Sequence, residues 1–278
     1  MINLTQLNTM LNQFYLEDIG YGDMTSQNLF DTHMQGTITF HAKEPGIFCG
    51  AEIIDLGFQM IHTPIQLIRN KENGDQLEVG DVIATASGSI IHLLQVERVI
   101  LNLLQRMSGI ATITSKAVQM VKETEVKICD TRKTTPGLRM LEKQAVRCGG
   151  GYNHRYGLSD AVMIKDNHIA FSGSITNAVQ RIKSRLGHTV KIEVEIESEA
   201  QLLEAIANEV DIIMFDNCSP ERIRNWIHHV PKTIITEASG GIQFEQLLNY
   251  AKSGIDFISL GYLTHAAPSL DISASVYM

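Results

Sequence analysis

The chain has few of the features that would place it outside the cell, in a membrane or on a nucleic acid. It has 4 cysteines in 278 residues. They are Cys49, Cys129, Cys148 and Cys218, with no CxxC pair and no metal-ligand spacing, which excludes a disulfide framework or zinc ribbon and fits a reducing cytoplasm. The opening MINLTQLNTM lacks a basic stretch leading into an apolar run, so no signal peptide is expected. No apolar stretch approaches the length needed to cross a bilayer. Positive charge is also scarce. Lys and Arg number 23 against 31 Asp and Glu, a net charge of −8, which argues against binding that depends on many phosphate contacts to nucleic acid. What remains is a globular composition, 44% hydrophobic and 19% charged, in a chain long enough for one large or two ordinary domains.

The few cations are not spread evenly. Residues 130–168, DTRKTTPGLRMLEKQAVRCGGGYNHRYGLSDAVMIKDNH, hold seven Lys and Arg against four Asp and Glu, so this segment carries +3 and the rest of the chain −11. A confined positive field in an acidic protein attracts and holds anions. The competing reading is a solvated basic helix face. These cations do not keep helical spacing; they sit beside strand ends, prolines and glycines.

The chain changes character near residue 110. Residues 2–17 place Leu4, Leu7, Leu11, Phe14 and Tyr15 at helical spacing. From Gly36 to His92 the pattern is mostly strand-like, with a helix expected from Ala51 to Ile61. NKENGDQLEVGDVIATASG adds two short β segments with NG, GD and SG turns. Similar hairpins occur in biotinyl and lipoyl carrier domains, but no lysine sits at a hairpin tip as a carrier lysine would. Ile91 to Lys122 reads as a long helical region interrupted at Ser108-Gly109. A regular alternation follows, with strands at 126–129, 161–164, 190–196, 211–215, 233–236 and 256–260. Helical patterns lie between them at about 138–147, 174–186, 198–208, 219–229 and 243–252. The fourth opens with Ser219-Pro220, an N-cap and a proline at the first helical position. Such alternation predicts a parallel sheet with right-handed crossovers. Six strands rather than eight suggest an incomplete α/β barrel.

Asp130, Lys165, Asp216, Glu237 and Gly261 all fall at or just past the strands' C-terminal ends, the edge where ligand groups collect in such sheets. Glu193 and Glu195 are two apart in one strand and share a face. Three constellations stand out. Arg132, Lys133, His154, Arg155 and Lys165, with Arg139 as a weaker member, suit a ligand with more than one anionic group, because arginine forks match carboxylate or phosphate and lysine adds a compact charge. Glu195 and Asp216 lie at neighbouring strand ends and either hold a divalent cation such as Mg²⁺ or bridge to the cations. Ser239-Gly240-Gly241, with Gly261 one strand later, either cradles a phosphate or forms an ordinary turn. His168 and His265 lie near loops at the same edge, and His228-His229 reads as helix surface.

The motifs DTRKTTPGLR, GGGYNHR, SDAVMIKDNHI, IEVEIES, MFDN and EASGGI, in this order, resemble the quinolinate phosphoribosyltransferase family. EDIGYGDMTS, VERVILNLLQRMSGIAT and LGYLTHAAPSLDIS extend the resemblance over essentially the whole chain. It implies an α/β fold: an N-terminal α/β sandwich domain (1–109), a TIM-like incomplete parallel α/β barrel of about six strands (110–266), and a C-terminal tail (267–278) returning to the first domain. It implies a cytoplasmic pentosyltransferase that joins quinolinate to phosphoribosyl pyrophosphate with Mg²⁺, releasing pyrophosphate and CO₂ and giving nicotinate mononucleotide for NAD biosynthesis. It implies a homodimer in which Arg98, otherwise an exposed helix residue, reaches the neighbour's active site; assembly into hexamers is left open. No membrane or nucleic-acid partner is implied. In that scheme Arg98, Arg132, His154 and Arg155 clamp the carboxylates, and Lys133 and Lys165 lie near both the acid and the phosphoribosyl group. Glu195 and Asp216 hold the ribose hydroxyls and the metal, and Ser239, Gly240, Gly241 and Gly261 cradle the 5′-phosphate. Lys133, Lys165, Glu195 and Asp216 are the residues expected to carry catalysis.

Rival expectations are the molybdenum-associated homologue with another base, nicotinate as acceptor, a Schiff-base lyase using Lys165, and a non-enzymatic anion or RNA binder. The full arginine and histidine set favours a dianionic acceptor, since a smaller charge would leave buried cations unpaired. Lys133→Ala is expected to cut turnover far more than it weakens folding, which kcat measured beside a denaturation midpoint will check.

Overall fold

The computed structural model describes residues 2–60 and 63–277. The chain forms two compact units. The first comprises Met1–Ser115, Thr135–Gly150 and Ala266–Met278, and the second Lys116–Thr134 and Gly151–His265. The segment 135–150, which the sequence pattern gives to the barrel, therefore groups with the first unit.

In the first unit, helices α1 (Leu4–Ile19) and α2 (Ser26–Leu29) precede strand β1 (Gln35–Ala42) and the short β2 (Gly46–Ile47). Helix α3 (Ala51–Gln59), strands β3 (Gln66–Arg69), β4 (Gln76–Leu77) and β5 (Val82–Ser89), and helix α4 (Ile90–Met120) follow. Ile61, where the sequence pattern ends α3, lies outside the described residues. Helix α5 (Arg139–Cys148) and the last strand, β12 (Ile272–Tyr277), complete the unit. Its sheet runs β12-β1-β5-β3, with every neighbouring pair antiparallel. Asn3 caps α1, accepting from the Gln6 N–H at 3.0 Å. A more distant residue starts α3: Asn73 Oδ1 accepts from the N–H groups of Gly50 and Ala51. The core is built from Leu7 and Leu11 of α1, Ile38 and Phe40 of β1, Ile53, Ile54 and Phe58 of α3, and Ile100 and Leu104 of α4.

Helix α4 is unbroken for 31 residues, so the expected interruption at Ser108-Gly109 does not occur. Leu93, Val96, Ile100, Leu104, Met107 and Ala111 recur on one buried face. Ser108 and Gly109 serve packing instead. Ser108 Oγ accepts the Cys49 N–H at 3.1 Å. A Cβ on Gly109 would stand 2.0 Å from the Pro268 carbonyl oxygen, so only glycine admits this approach. Farther along the same stretch of α4, Arg106 donates to the fully buried Glu142 carboxylate of α5 at 2.9 Å and to the Ala267 carbonyl at 2.9 Å. Glu142 also accepts from the Thr135 N–H and hydroxyl.

The second unit is a single parallel sheet of six strands. They are β6 (Lys127–Cys129), β7 (Val162–Ile164), β8 (Ile192–Ile196), β9 (Ile212–Asp216), β10 (Ile235–Ser239) and β11 (Phe257–Ser259). Helices α6 (Asp166–Ser172), α7 (Ile175–Lys183), α8 (Glu199–Ala207), α9 (Pro220–Trp226), α10 (Leu247–Ala251) and α11 (Tyr262–His265) alternate with them. The order is β6-β11-β10-β9-β8-β7. Each strand from β7 to β10 thus lies beside its successor, and β6, the first strand of this sheet, pairs with β11, its last. This is the order of a barrel opened between β6 and β7. A single parallel bridge, Cys129 to Tyr152, continues the sheet past β6. Ser174, Ser198 and Ser219 cap α7, α8 and α9, each accepting a backbone N–H three residues on. The short α6 and α11 carry too few residues for periodicity to reveal.

Removing Arg106 would leave the Glu142 carboxylate buried without its cation. Arg106→Met is expected to cost about 3–5 kcal/mol of stability, and the double change with Glu142→Met less; urea unfolding of both variants gives the comparison.

Candidate functional site

A cavity of about 390 Å³ opens at the C-terminal ends of the six strands and lies wholly within the second unit. Parallel register explains its lining. Glu195 of β8 and Glu237 of β10 both stand level with Met214 of β9, and Asp216 pairs with Ser239 one pleat higher. Residues at the same level of adjacent strands share a face. Met163, Glu195, Met214, Asp216, Glu237, Ser239 and Ser259 all line the cavity, with Glu193 one pleat deeper.

Cations come from the loops above. Arg132 and Lys133 follow β6, His154 and Arg155 follow the Tyr152 bridge, and Lys165 follows β7; all five line the cavity. The loop after β6 is held by local bonds: the Lys133 N–H donates to Thr131 Oγ1 at 3.0 Å, and its carbonyl accepts from Thr264 Oγ1 at 2.7 Å. Gly261 does not line the cavity. A Cβ there would stand 2.9 Å from Lys133 Cδ, so its bareness seats the lysine stem. Arg155 donates to the Ala161 carbonyl at 2.9 Å. Burial, and then the nearby Arg132 guanidinium, push the Arg155 pKa down from its ordinary value. Arg132 Nε is buried with no hydrogen-bond partner among the described residues. Crowded, partly desolvated cations with a spare donor form a site ready to accept an anion.

The carboxylates divide into two levels. Near the mouth, Glu195 pairs with Lys165. Burial raises the Glu195 pKa, Lys165 opposes this, and Asp216 and Glu193 add to the rise. Asp216 accepts from the Asn217 side chain at 2.9 Å. Two oxygen donors that repel one another in one cavity fit a hard divalent cation shared with a phosphorylated ligand. Deeper, Glu193 and Glu237 are buried, and His154 Nε2 lies 3.0 Å from Glu193 and 3.6 Å from Glu237. Burial, and then the charge of Glu193, push the Glu237 carboxyl up to about 7, against the opposing effect of His154.

Backbone geometry supplies the third element. Gly240 and Gly241, at the end of β10, have φ of +90° and +62°. A Cβ on Gly240 would press on Asn217, 2.4 Å from Oδ1 and 2.8 Å from the backbone nitrogen, so no side chain fills the space beside the strand end. Asn217 itself has φ of +51° and donates its N–H to the Ser239 carbonyl at 3.0 Å.

The structure thus gathers Arg132, Lys133, His154, Arg155, Lys165, Glu195, Asp216, Ser239, Gly240 and Gly241 round one cavity. Arg98 is elsewhere, on α4 of the first unit, with its side chain 58% exposed and 3.7 Å from Glu97. Arg139 begins α5 in that same unit and does not line the cavity. Glu237 is not past its strand, as the sequence pattern has it, but third of five in β10, because the ladder with β9 runs on to Ser239. His168 accepts the Lys165 N–H at the start of α6. Two residues, Asn217 and Asn153, escape the sequence reading. Asn217 follows Asp216 in MFDN, where an asparagine next to a strand-end acid is the available signal. Asn153 and Asp130 pair at 2.6 Å across the gap beyond β6.

Comparisons with known proteins place the whole chain in one family. The quinolinate phosphoribosyl transferase C-terminal domain matches residues 110–275, and the N-terminal domain of the same family matches residues 23–108. A Bacillus subtilis (strain 168) protein called probable nicotinate-nucleotide pyrophosphorylase [carboxylating] is 54% identical over 276 residues, which is 99% of this chain and 95% of that protein. The Mycobacterium leprae nicotinate-nucleotide pyrophosphorylase [carboxylating] is 37% identical over 262 residues, 92% of each chain. The crystal structure of NadC from Streptococcus pyogenes superposes with a TM-score of 0.95 at 38% identity, covering 100% of this chain and 98% of that one. The chain belongs to the quinolinate phosphoribosyltransferase family.

The raised pKa of Glu237 fixes a pH dependence. The unfolded carboxyl titrates near 4.5 and the folded one near 7. Between those values the folded protein binds the proton more tightly, so stability falls as pH rises through that window. Glu237→Gln, which cannot ionise, is expected to lose less stability across it, as urea midpoints taken along the window will report.

Proposed function

We infer that the cavity binds quinolinate and phosphoribosyl pyrophosphate together and joins them with loss of CO₂, giving nicotinate mononucleotide and pyrophosphate for NAD biosynthesis. The observation that carries this reading is the meeting of Arg132, Lys133, Arg155 and Lys165 with Glu195 and Asp216 in one cavity at the strand ends, in a chain of this family. Quinolinate is a dianion, and the two arginines are the planar forks that match its carboxylates. The spare Nε–H of Arg132 is a donor awaiting such an acceptor. Lys133 and Lys165 lie between the acid and the sugar, and Glu195 and Asp216 hold the ribose hydroxyls. Ser239, Gly240 and Gly241 leave room for the 5′-phosphate against backbone N–H groups, and Gly261 acts through Lys133.

The chemistry asks for positioning more than for a base. As pyrophosphate leaves, positive character develops at the ribose C1 and the pyridine nitrogen supplies the new bond. The resulting pyridinium takes up the electron pair freed when the adjacent carboxylate departs as CO₂, and a proton then replaces it on carbon. The cations hold the ring in line with the sugar and screen its two charges, the electrostatic and proximity contributions that dominate such reactions. Glu195 and Asp216 are the residues that would hold Mg²⁺, which supplies charge neutralisation for the departing pyrophosphate. We further propose a cytoplasmic homodimer in which Arg98 of a second copy completes the acid site. The exposure of Arg98 and the four free thiols support these two points. No helix is long and apolar enough to cross a membrane among the described residues.

The test is incubation of the purified protein with Mg²⁺, phosphoribosyl pyrophosphate and quinolinate labelled at the 2-carboxylate, with nicotinate in a parallel tube. Labelled CO₂ with nicotinate mononucleotide is expected from the first tube alone. Folded protein that releases no CO₂ points to the molybdenum-associated homologue, and product from nicotinate alone to a salvage enzyme.

A further inference from the structure

The cysteine spacing excludes a disulfide framework, yet the fold brings two of the four free thiols together. Cys49 Sγ and Cys148 Sγ lie 3.1 Å apart across 99 positions, with the Cys49 thiol donating. Both residues belong to the first unit, and one helix sets both backbones. Cys49, just before α3, donates its N–H to Ser108 Oγ of α4 at 3.1 Å, and its carbonyl accepts from the Ser108 hydroxyl at 3.3 Å. Cys148 ends α5. The next residue, Gly149, approaches α4 so closely that a Cβ there would stand 2.3 Å from the Ala111 carbonyl oxygen and 2.7 Å from Thr114 Cβ. The sulfurs meet because α4 fixes the chain on either side of them.

The two thiols are not equivalent. Cys49 is fully buried, and burial, then the bond to Cys148, push its pKa well up. Cys148 is half-buried. The bond from the Cys49 thiol holds the Cys148 pKa down, against burial and the Glu52 carboxylate. Gln144 Nε2 also donates to the Cys148 sulfur at 3.8 Å. One thiol can be reached and gives up its proton more easily; its neighbour keeps a proton beside it. That is the division between an attacking and a resolving cysteine.

We propose that Cys49 and Cys148 are a redox-active dithiol, in which Cys148 is oxidised by hydrogen peroxide and Cys49 resolves the product to a disulfide that ties the end of α5 to the chain before α3. The Cys148 thiolate attacks one peroxide oxygen and the O–O bond breaks. The second oxygen leaves as hydroxide and takes up a proton to become water, and Cys148 is left as a sulfenic acid. The Cys49 sulfur then attacks the Cys148 sulfur, and the S–O bond breaks. The hydroxyl leaves as a second water with the proton that Cys49 carried. The sulfurs together lose two electrons and the peroxide gains them. In a reducing compartment such a bond is transient and thiols reverse it. It spares Cys148 the sulfinic and sulfonic acids that form when no thiol stands by. Those acids would add bulk and negative charge where α5 packs on α4. Gly149-Gly150-Gly151 leads from that point to the segment bearing His154 and Arg155.

The test uses the full chain and hydrogen peroxide. After graded exposure the protein is unfolded, alkylated with N-ethylmaleimide and weighed. Two thiols are expected to disappear together with a loss of about 2 Da, in one chain, and peptide mapping should join residues 49 and 148. Dithiothreitol should restore both. Four thiols surviving a dose that oxidises free cysteine, a bond between two chains, or a bond to Cys129 or Cys218 would overturn the proposal. Cys49→Ala is expected to leave Cys148 gaining about 32 or 48 Da, which dithiothreitol does not remove. Cys148→Ala should leave Cys49 unoxidised over the same exposure, and its oxidation at the wild-type rate would overturn the assigned roles. If a variant does not fold, the thiol count and peptide map of the unaltered protein decide. The oxidised protein should melt several degrees higher than the reduced one, because a bond closing a long loop restricts the unfolded chain. A lower midpoint would overturn the claim that the disulfide holds the junction closed. None of these readouts depends on CO₂ release, so they stand or fall apart from the proposed reaction.

Discussion

Asp130 is completely buried at the end of β6, and a carboxylate in that position must have its oxygens met by donors or lose much of its solvation energy. Asn153 meets one oxygen and the His154 N–H the other. These two bonds bring the chain of residues 152–155 against the open edge of the parallel sheet, where the Cys129–Tyr152 bridge starts a seventh, abortive strand. His154 and Arg155 stand where they do because of this anchor. The sheet itself could form without it. The ring of cations over the cavity draws on it, since His154 and Arg155 belong to the segment that these bonds hold.

The interior is layered by charge. Carboxyl groups occupy the depth of the sheet, at Glu193 and Glu237, and cations occupy the loops above. Each layer is costly alone. Burial and mutual repulsion drive the Glu237 carboxyl up to about 7 and lower the pKa of Arg155. Together they impose a direction on the field, so a ligand with negative groups is drawn to the rim and excluded from the depth. The protein accepts local instability at the site in exchange for a field fixed before the ligand arrives, as preorganised active sites require.

Much of this was legible in the sequence because parallel sheets leave a simple record. Strand and helix alternate, and polar residues at strand ends mark the ligand edge. Lys165, Asp216 and Ser239 could be placed in that way. The depth of Glu237 could not, because where β10 stops depends on its ladder with β9 and not on its own residues. Nor could the continuity of α4 through Ser108 and Gly109. That helix-breaking pair is retained because Cys49 and Pro268 press against it, and neither is near in sequence. Cys49 and Cys148 make the same point. Their sulfurs lie 3.1 Å apart, a proximity that no spacing rule reaches across 99 positions. The buried links from Asp130 to His154 and from His154 to Glu193 were likewise invisible, since each joins residues from different strands or loops.

The first unit is made from three separate stretches of chain, and its sheet ends on a strand from the last of them. Thr37 pairs with Tyr277 and Ala42 with Ile272. During synthesis β1 therefore has β5 on one side and an unpaired edge on the other until residues 272–277 emerge. By then every strand of the parallel sheet has been made. The unit whose first strands are translated early thus cannot complete its sheet until residues 272–277 are made, and closing so long a loop carries an entropic cost. For that interval the exposed edge of β1 is open to pairing with another chain. The nascent protein's exposure to aggregation is therefore set by the time taken to translate everything that lies between these two strands.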